Sequence, residues 1–354
     1  MSKSIRTQTT HRQLSRSMIR AGLLVATLAA GSAAHAQINF TFDYGANDSA
    51  VGGFWDPTLD LMSPGQTLGQ TRQQAMATAS TAFATMFATH FTNSATILLS
   101  ATATNLPLST NLASAGSTAS GGNGIGFTVN EYVRTKALGG LDANGVAADG
   151  NVSVNFGQPW YYGTNASATP QTEYDFYSTI NHEFTHALGF SSSINQDGSP
   201  FYGGTKAAGE WSTFDQFLVD KDGNKVVDPN TFALNQTVWN TASVGGASPA
   251  AGMFFNGSFA MAANGGNAVG LYTPNPWEDG SSVSHTDDQN PAIYGTMMTA
   301  KGPTGPWPRD YSAIEIGMMR DLGYTVAAVP EPETYAMMLV GLGLIGSMVR
   351  RRKA

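Results

Sequence analysis

The chain has 354 residues, no cysteine, and 18 basic against 25 acidic side chains. Without cysteine there is neither a disulfide nor a thiolate metal ligand, so any metal must be held by histidine and carboxylate. With the basic ends set apart, residues 37 to 330 carry 9 basic and 23 acidic side chains, a balance that argues against binding nucleic acid or an anionic membrane through surface charge.

The first residues read as an export signal. Lys3, Arg6, Arg12, Arg16 and Arg20 precede an apolar run over 21 to 30, and Ala34-His35-Ala36 puts small residues where a signal peptidase cuts. Cleavage there makes 1–36 the leader and starts the mature chain at Gln37. The apolar run is shorter than the ~20 residues a membrane span needs. What remains is long enough to hold together by packing alone, as one large domain or two lobes.

Residues 38 to 44 alternate polar and apolar, as a half-buried strand does. Residues 67 to 91 are Ala-rich and free of proline, with Met76, Phe83, Met86, Phe87 and Phe91 spaced for one helical face. A second strand is expected over 95 to 103, a Ser/Gly/Ala-rich loop over 106 to 126, and a third strand over 151 to 156.

Next comes His182-Glu183-Phe184-Thr185-His186, followed by Ala187-Leu188-Gly189-Phe190. Phe176, Ile180, Phe184 and Leu188 recur every fourth residue in a stretch without Gly or Pro, and Gly189 supplies a helix end where φ can turn positive. On that helix the two histidines lie one above the other and can grip one Zn²⁺, with Glu183 beside the metal. Zinc lowers the pKa of its water toward ~7 and a neighbouring carboxylate can take the proton, which is hydrolase chemistry. Neutral imidazole is the binding form, so affinity is expected to fall below pH ~6.5.

Beyond Gly189 periodicity is weak as far as residue 280, apart from 214 to 219. Asp220, Asp222 and Asn224 alternate as calcium ligands would, but no Glu stands at the twelfth position, and the Asp-Gly pair reads as a hairpin turn.

A zinc hydrolase usually keeps three protein ligands and one open position. Only His90, His182, His186 and His285 follow the leader. A compact arrangement with the third histidine six residues after the second is ruled out, because that position is Ser192. His90 sits at a helix end, where a cation is favourable without any metal. His285 lies in Ser284-His285-Thr286-Asp287-Asp288, followed by Gly295-Thr296-Met297-Met298-Thr299, and a final helix is expected over 311 to 324. A rival ligand is Glu210, some twenty residues after the second histidine, though without the Glu-x-x-x-Asp pairing of thermolysin-like enzymes.

With the zinc helix, a distant histidine and a methionine turn in this order, the chain resembles the leishmanolysin-like metzincin proteases. The resemblance implies an α/β (α+β) fold over 37–328: a mixed sheet and the active-site helix in an N-terminal lobe to about 190, then an irregular C-terminal lobe over 191–328 with the Met turn and terminal helix. It implies zinc held by His182, His186 and His285, Glu183 as general base, a protein or peptide substrate, and a cleft edged by the strand at 151 to 156. Met297 or Met298 would form the hydrophobic floor. Asp287 or Asp288 would steady His285 through its other nitrogen, and Tyr294 would face the oxyanion. The competing expectation is an inactive extracellular matrix or polysaccharide-binding protein on the same fold; retention of Glu183 favours the peptidase.

At the far end Val329-Pro330-Glu331-Pro332-Glu333 precedes an apolar run over 335 to 349 and then Arg350-Arg351-Arg352-Lys353. This resembles the PEP-CTERM sorting signal of Gram-negative bacteria. The resemblance implies that 329–354, with its short transmembrane helix, anchors the protein transiently in the inner membrane. An exosortase-type enzyme would then release it to the cell surface or the exterior, often into an exopolysaccharide matrix.

Overall fold

The computed structural model describes residues 37–45, 53–57, 69–120 and 124–327. The expected leader and sorting tail lie outside these.

Four strands make a mixed sheet. β1 (Ile38–Asp43), β2 (Ala95–Thr104) and β4 (Gly150–Asn155) are parallel neighbours, and β3 (Ala113–Ser117) closes the order β1-β2-β4-β3 by pairing antiparallel with β4. Parallel neighbours need a crossover, and α1 (Arg72–His90) supplies it between β1 and β2. It begins at Arg72 because Thr71 caps it: Thr71 Oγ1 accepts the Gln74 amide at 3.2 Å, and Gln74 Oε1 accepts the Thr71 amide at 2.8 Å, a reciprocal pair that sets the helix start. Ala75, Met76, Ala79, Phe83 and Phe87 form its buried face. A second helix, α2 (Tyr132–Gly139), precedes β4.

Two expectations need correction here. The strand near 151 to 156 is not at the edge; β4 is paired on both sides, by β2 and β3. The edge is β3, inside the stretch read as a loop. Ala113-Ser114-Ala115-Gly116-Ser117 has no β-branched or aromatic residue, so strand propensity is silent there. The strand forms through its pairing with β4, which opens with a glycine where the two backbones are close: a Cβ on Gly150 would come within 2.3 Å of the Gly116 carbonyl oxygen.

The histidine-bearing helix, α3 (Phe176–Ala187), starts where Asp175 accepts the Ser178 amide. Phe176, Ile180, Phe184 and Leu188 are all fully buried. The Phe184 ring stacks on Phe40 of β1 at 4.1 Å and meets Phe83 of α1 edge-on at 5.5 Å, so helix, sheet and α1 share one aromatic core. Gly189 takes φ +97° and turns the chain out of the helix, and Tyr324 closes the helix end by donating its hydroxyl to the Leu188 carbonyl at 2.7 Å.

After residue 190 the elements are short. β5 (Gly203–Thr205) and β6 (Ala208–Glu210) form a hairpin, and β7 (Leu218–Asp220), β8 (Met253–Phe255) and β9 (Val269–Gly270) an antiparallel sheet. The turn after β7 is the expected one: Asp220 Oδ1 accepts the Asp222 and Asn224 amides, and Gly223 takes φ +82°. α4 (Gln236–Ala242) and α5 (Ser258–Ala263) follow, and α6 (Ala313–Asp321) packs on α5. α6 starts two residues later than expected because Ser312 caps it, with Glu315 completing the reciprocal pair, and it ends at Asp321, just before Gly323 at φ +106°. The fold is thus mixed α/β around a mixed sheet, with a less regular second half. Among the described residues no helix is long and apolar enough to cross a membrane.

Candidate metal centre

α3 places His182 and His186 one turn apart, and the loop after β9 brings in His285. The three Nε2 atoms form a nearly equilateral triangle: 2.9 Å from His182 to His186, and 3.0 Å from each of these to His285. Behind the triangle each Nδ1 meets a backbone carbonyl oxygen: Met297 for His182 at 2.7 Å, Phe190 for His186 at 2.7 Å, Ser281 for His285 at 2.8 Å. A carbonyl can only accept, so each Nδ1 carries the proton and each neutral ring turns a bare Nε2 lone pair inward. Three such lone pairs repel one another and have no donor between them; a cation resolves both problems. Imidazole nitrogens at about 2.0–2.1 Å from a tetrahedral ion lie roughly 3.3 Å apart, close to what is seen. Among the described residues this is the one His/carboxylate cluster spaced to hold a metal ion.

Burial sets the protonation state. Desolvation pushes His182 down to about 4 and, with help from the neighbouring His182, pushes His285 down to about 3. His186 is held well below the ordinary value by burial first and by the other two rings second. The triad therefore stays neutral, and ready to ligate, below the pH of ~6.5 expected from free imidazole.

The same cleft, of about 960 Å³, is lined by the triad, Glu183, residues 110–115, residues 278–281 and residues 299–302, with Tyr174 and Trp307. Burial pushes the Glu183 carboxyl up to about 8, partly offset by a hydrogen bond from the Ala115 amide of β3. Burial thus raises its affinity for a proton, and in its ionised form it is a strong proton acceptor. Met297 lines the cleft while Met298 is buried behind it.

Several expected roles fall to other groups. Neither Asp287 nor Asp288 holds His285; Ser281 does, and Asp287 Oδ2 accepts the amide and hydroxyl of Ser248 at 2.7 and 2.8 Å. Glu210 is on β6, where it accepts the Thr128 hydroxyl, apart from the triad. Tyr294 does not line the cleft but stands half exposed against Trp307. His90 meets Asp310 at 2.6 Å. Ser192, where a compact third histidine would stand, donates to Asp215 at 2.7 Å.

No sequence pattern gives that aspartate a role. Asp215, fully buried, accepts hydroxyls from Ser192, Ser193 and Ser212 and amides from Ser193 and Ser212. With the Ser192 amide bonded to Ser284 Oγ at 3.2 Å, it ties the exit of α3 to the residue before His285. Such clusters of serines around one acid are spread over the chain and leave no local pattern.

Residues 328–353 match the PEP-CTERM protein-sorting motif. No curated protein and no solved structure matches the chain. The tail motif implies export through a Gram-negative envelope pathway and recognition by an exosortase-type sorting enzyme.

Proposed function

We propose that the chain is an exported zinc-dependent endopeptidase. The observation that carries this reading is the convergence of three bare imidazole nitrogens with a buried carboxylate in one cleft. His182, His186 and His285 would hold the ion; when bound, it lowers the pKa of water toward ~7 and polarises a carbonyl. Glu183 takes the proton of the attacking water on its carboxylate and hands it to the departing peptide nitrogen. Its raised proton affinity suits both halves of that transfer.

β3 supports an extended peptide as substrate. It pairs only with β4 in its sheet, and its Ala113, Ser114 and Ala115 line the cleft, so a substrate strand can add to that edge by main-chain hydrogen bonds. The small side chains of β3 leave room for the approach.

Three histidines in this order, the distant third one, and Met297 beneath them support the leishmanolysin-like metzincin reading. Digestion of a denatured protein by zinc-loaded material, abolished by chelation and restored by zinc, tests the proposal; no cleavage under any loading refutes it.

A further inference from the structure

Glu315 is wholly buried and takes no part in the chemistry above. Its Oε1 accepts the Met298 amide at 2.6 Å and its Oε2 the Ser312 amide at 2.7 Å. The Met298 N–H belongs to the same peptide group as the Met297 carbonyl, and that carbonyl accepts Nδ1–H of His182. Carboxylate, one peptide group and imidazole therefore form an unbroken hydrogen-bonded chain ending on the Nε2 that faces the triad.

Peptide resonance couples the two ends of that group. An N–H bonded to a carboxylate pushes electron density onto its own carbonyl oxygen, which then accepts more strongly. Ligating histidines are oriented, and made more basic, by what their other nitrogen donates to. His285 lacks this support: the amide sharing a peptide group with the Ser281 carbonyl, that of Ser282, donates to the neutral Glu278 carbonyl at 2.9 Å. A capping role alone accounts for only one oxygen of Glu315, the one on Ser312. The other makes the shorter bond, and it serves no helix end. The Met298 carbonyl in turn accepts the Thr286 amide at 2.9 Å, next to His285.

We propose that Glu315 is a positioning residue of the metal centre, acting through the peptide group between Met297 and Met298 to orient His182 and make it a stronger donor than His285. This rests on the triad being a metal centre.

The test uses the full-length protein. Glu315→Gln removes the charge but keeps one acceptor oxygen. Ser312→Ala removes the hydroxyl that caps α6, where it accepts the Glu315 amide at 3.2 Å, and leaves the contact with Met298 intact. Zinc affinity is read by competition with a chromophoric chelator, and imidazole N–H resonances by NMR on the metal-free protein. Glu315→Gln is expected to weaken zinc binding by about 10–100-fold, while Ser312→Ala lowers the melting temperature without moving the affinity. In the wild type, without any substitution, the His182 Nδ1–H should resonate downfield of the His285 Nδ1–H. Equal zinc affinity in Glu315→Gln, equal weakening in Ser312→Ala, or like resonances for His182 and His285 overturns the proposal while the metal centre stands. A wild type that binds no zinc removes the metal centre itself.

Discussion

The Nε2 atoms of His182 and His285 lie 3.0 Å apart although 103 residues separate them in the chain. Two bare acceptor nitrogens at that distance are stabilised when a cation joins them. One zinc per chain is therefore expected by metal analysis. His285→Ala should weaken binding by more than the ~10–100-fold that losing an outer partner costs. Glu210→Ala should leave it unchanged, because that carboxylate faces Thr128. Retention of zinc in the first variant and loss in the second would reverse the ligand assignment.

Acid should act later on this site than on free histidine. Burial holds His182 at about 4 and His285 at about 3, both below the unfolded value of ~6.5. The folded state therefore binds fewer protons than the unfolded one in that window. The stability these rings contribute is complete above pH ~6.5 and is lost as pH falls from there toward 4 and 3. In the metal-free protein, imidazole ¹⁵N shifts should show neutral rings at pH 5.5, while thermal stability declines between pH 6.5 and 4. Rings that titrate near 6.5 would mean that the triad is open to water.

The aromatic core fixes where α3 stands. Phe184 is fully buried between Phe40 and Phe83, so Phe184→Ala opens a cavity between helix and sheet and should destabilise by about 3–5 kcal/mol. Denaturant unfolding measures it. A cost under about 1 kcal/mol would show that the helix is held elsewhere.

Export leaves its own trace. If the Pro330-Glu331-Pro332 tag is processed, the extracellular product lacks residues 335–353 and ends near that motif. Mass spectrometry of material from the native host that found the Arg350-Arg351-Arg352-Lys353 tail intact would point to a plain membrane anchor.

Much of the centre was legible because its parts are local. The spacing of His182 and His186 and the four-residue stripe from Phe176 to Leu188 are both written within one helix. His285 was legible through its neighbourhood with the two methionines. What stayed hidden depends on contacts between distant segments. β3 has no propensity of its own and exists because β4 pairs with it. The carbonyls that fix the three tautomers are backbone groups, invisible in any sequence, and the acids next to His285 in the chain turn elsewhere while Ser281 holds its ring. Asp215 and its serines, and the second oxygen of Glu315, belong to the same class of long-range contact.

The most direct test of the central claim is the rate of protein cleavage by Glu183→Gln against wild type, both zinc-loaded. The substitution preserves size and shape but cannot accept the proton of the attacking water. Zinc should stay bound, since the three nitrogens of the triad are untouched, and the fold should be unchanged. Cleavage should fall by ~10²–10⁴-fold, the loss expected for a general base. A zinc-loaded wild type that cleaves no protein faster than this variant would contradict the peptidase account and favour an extracellular binding role for the same fold.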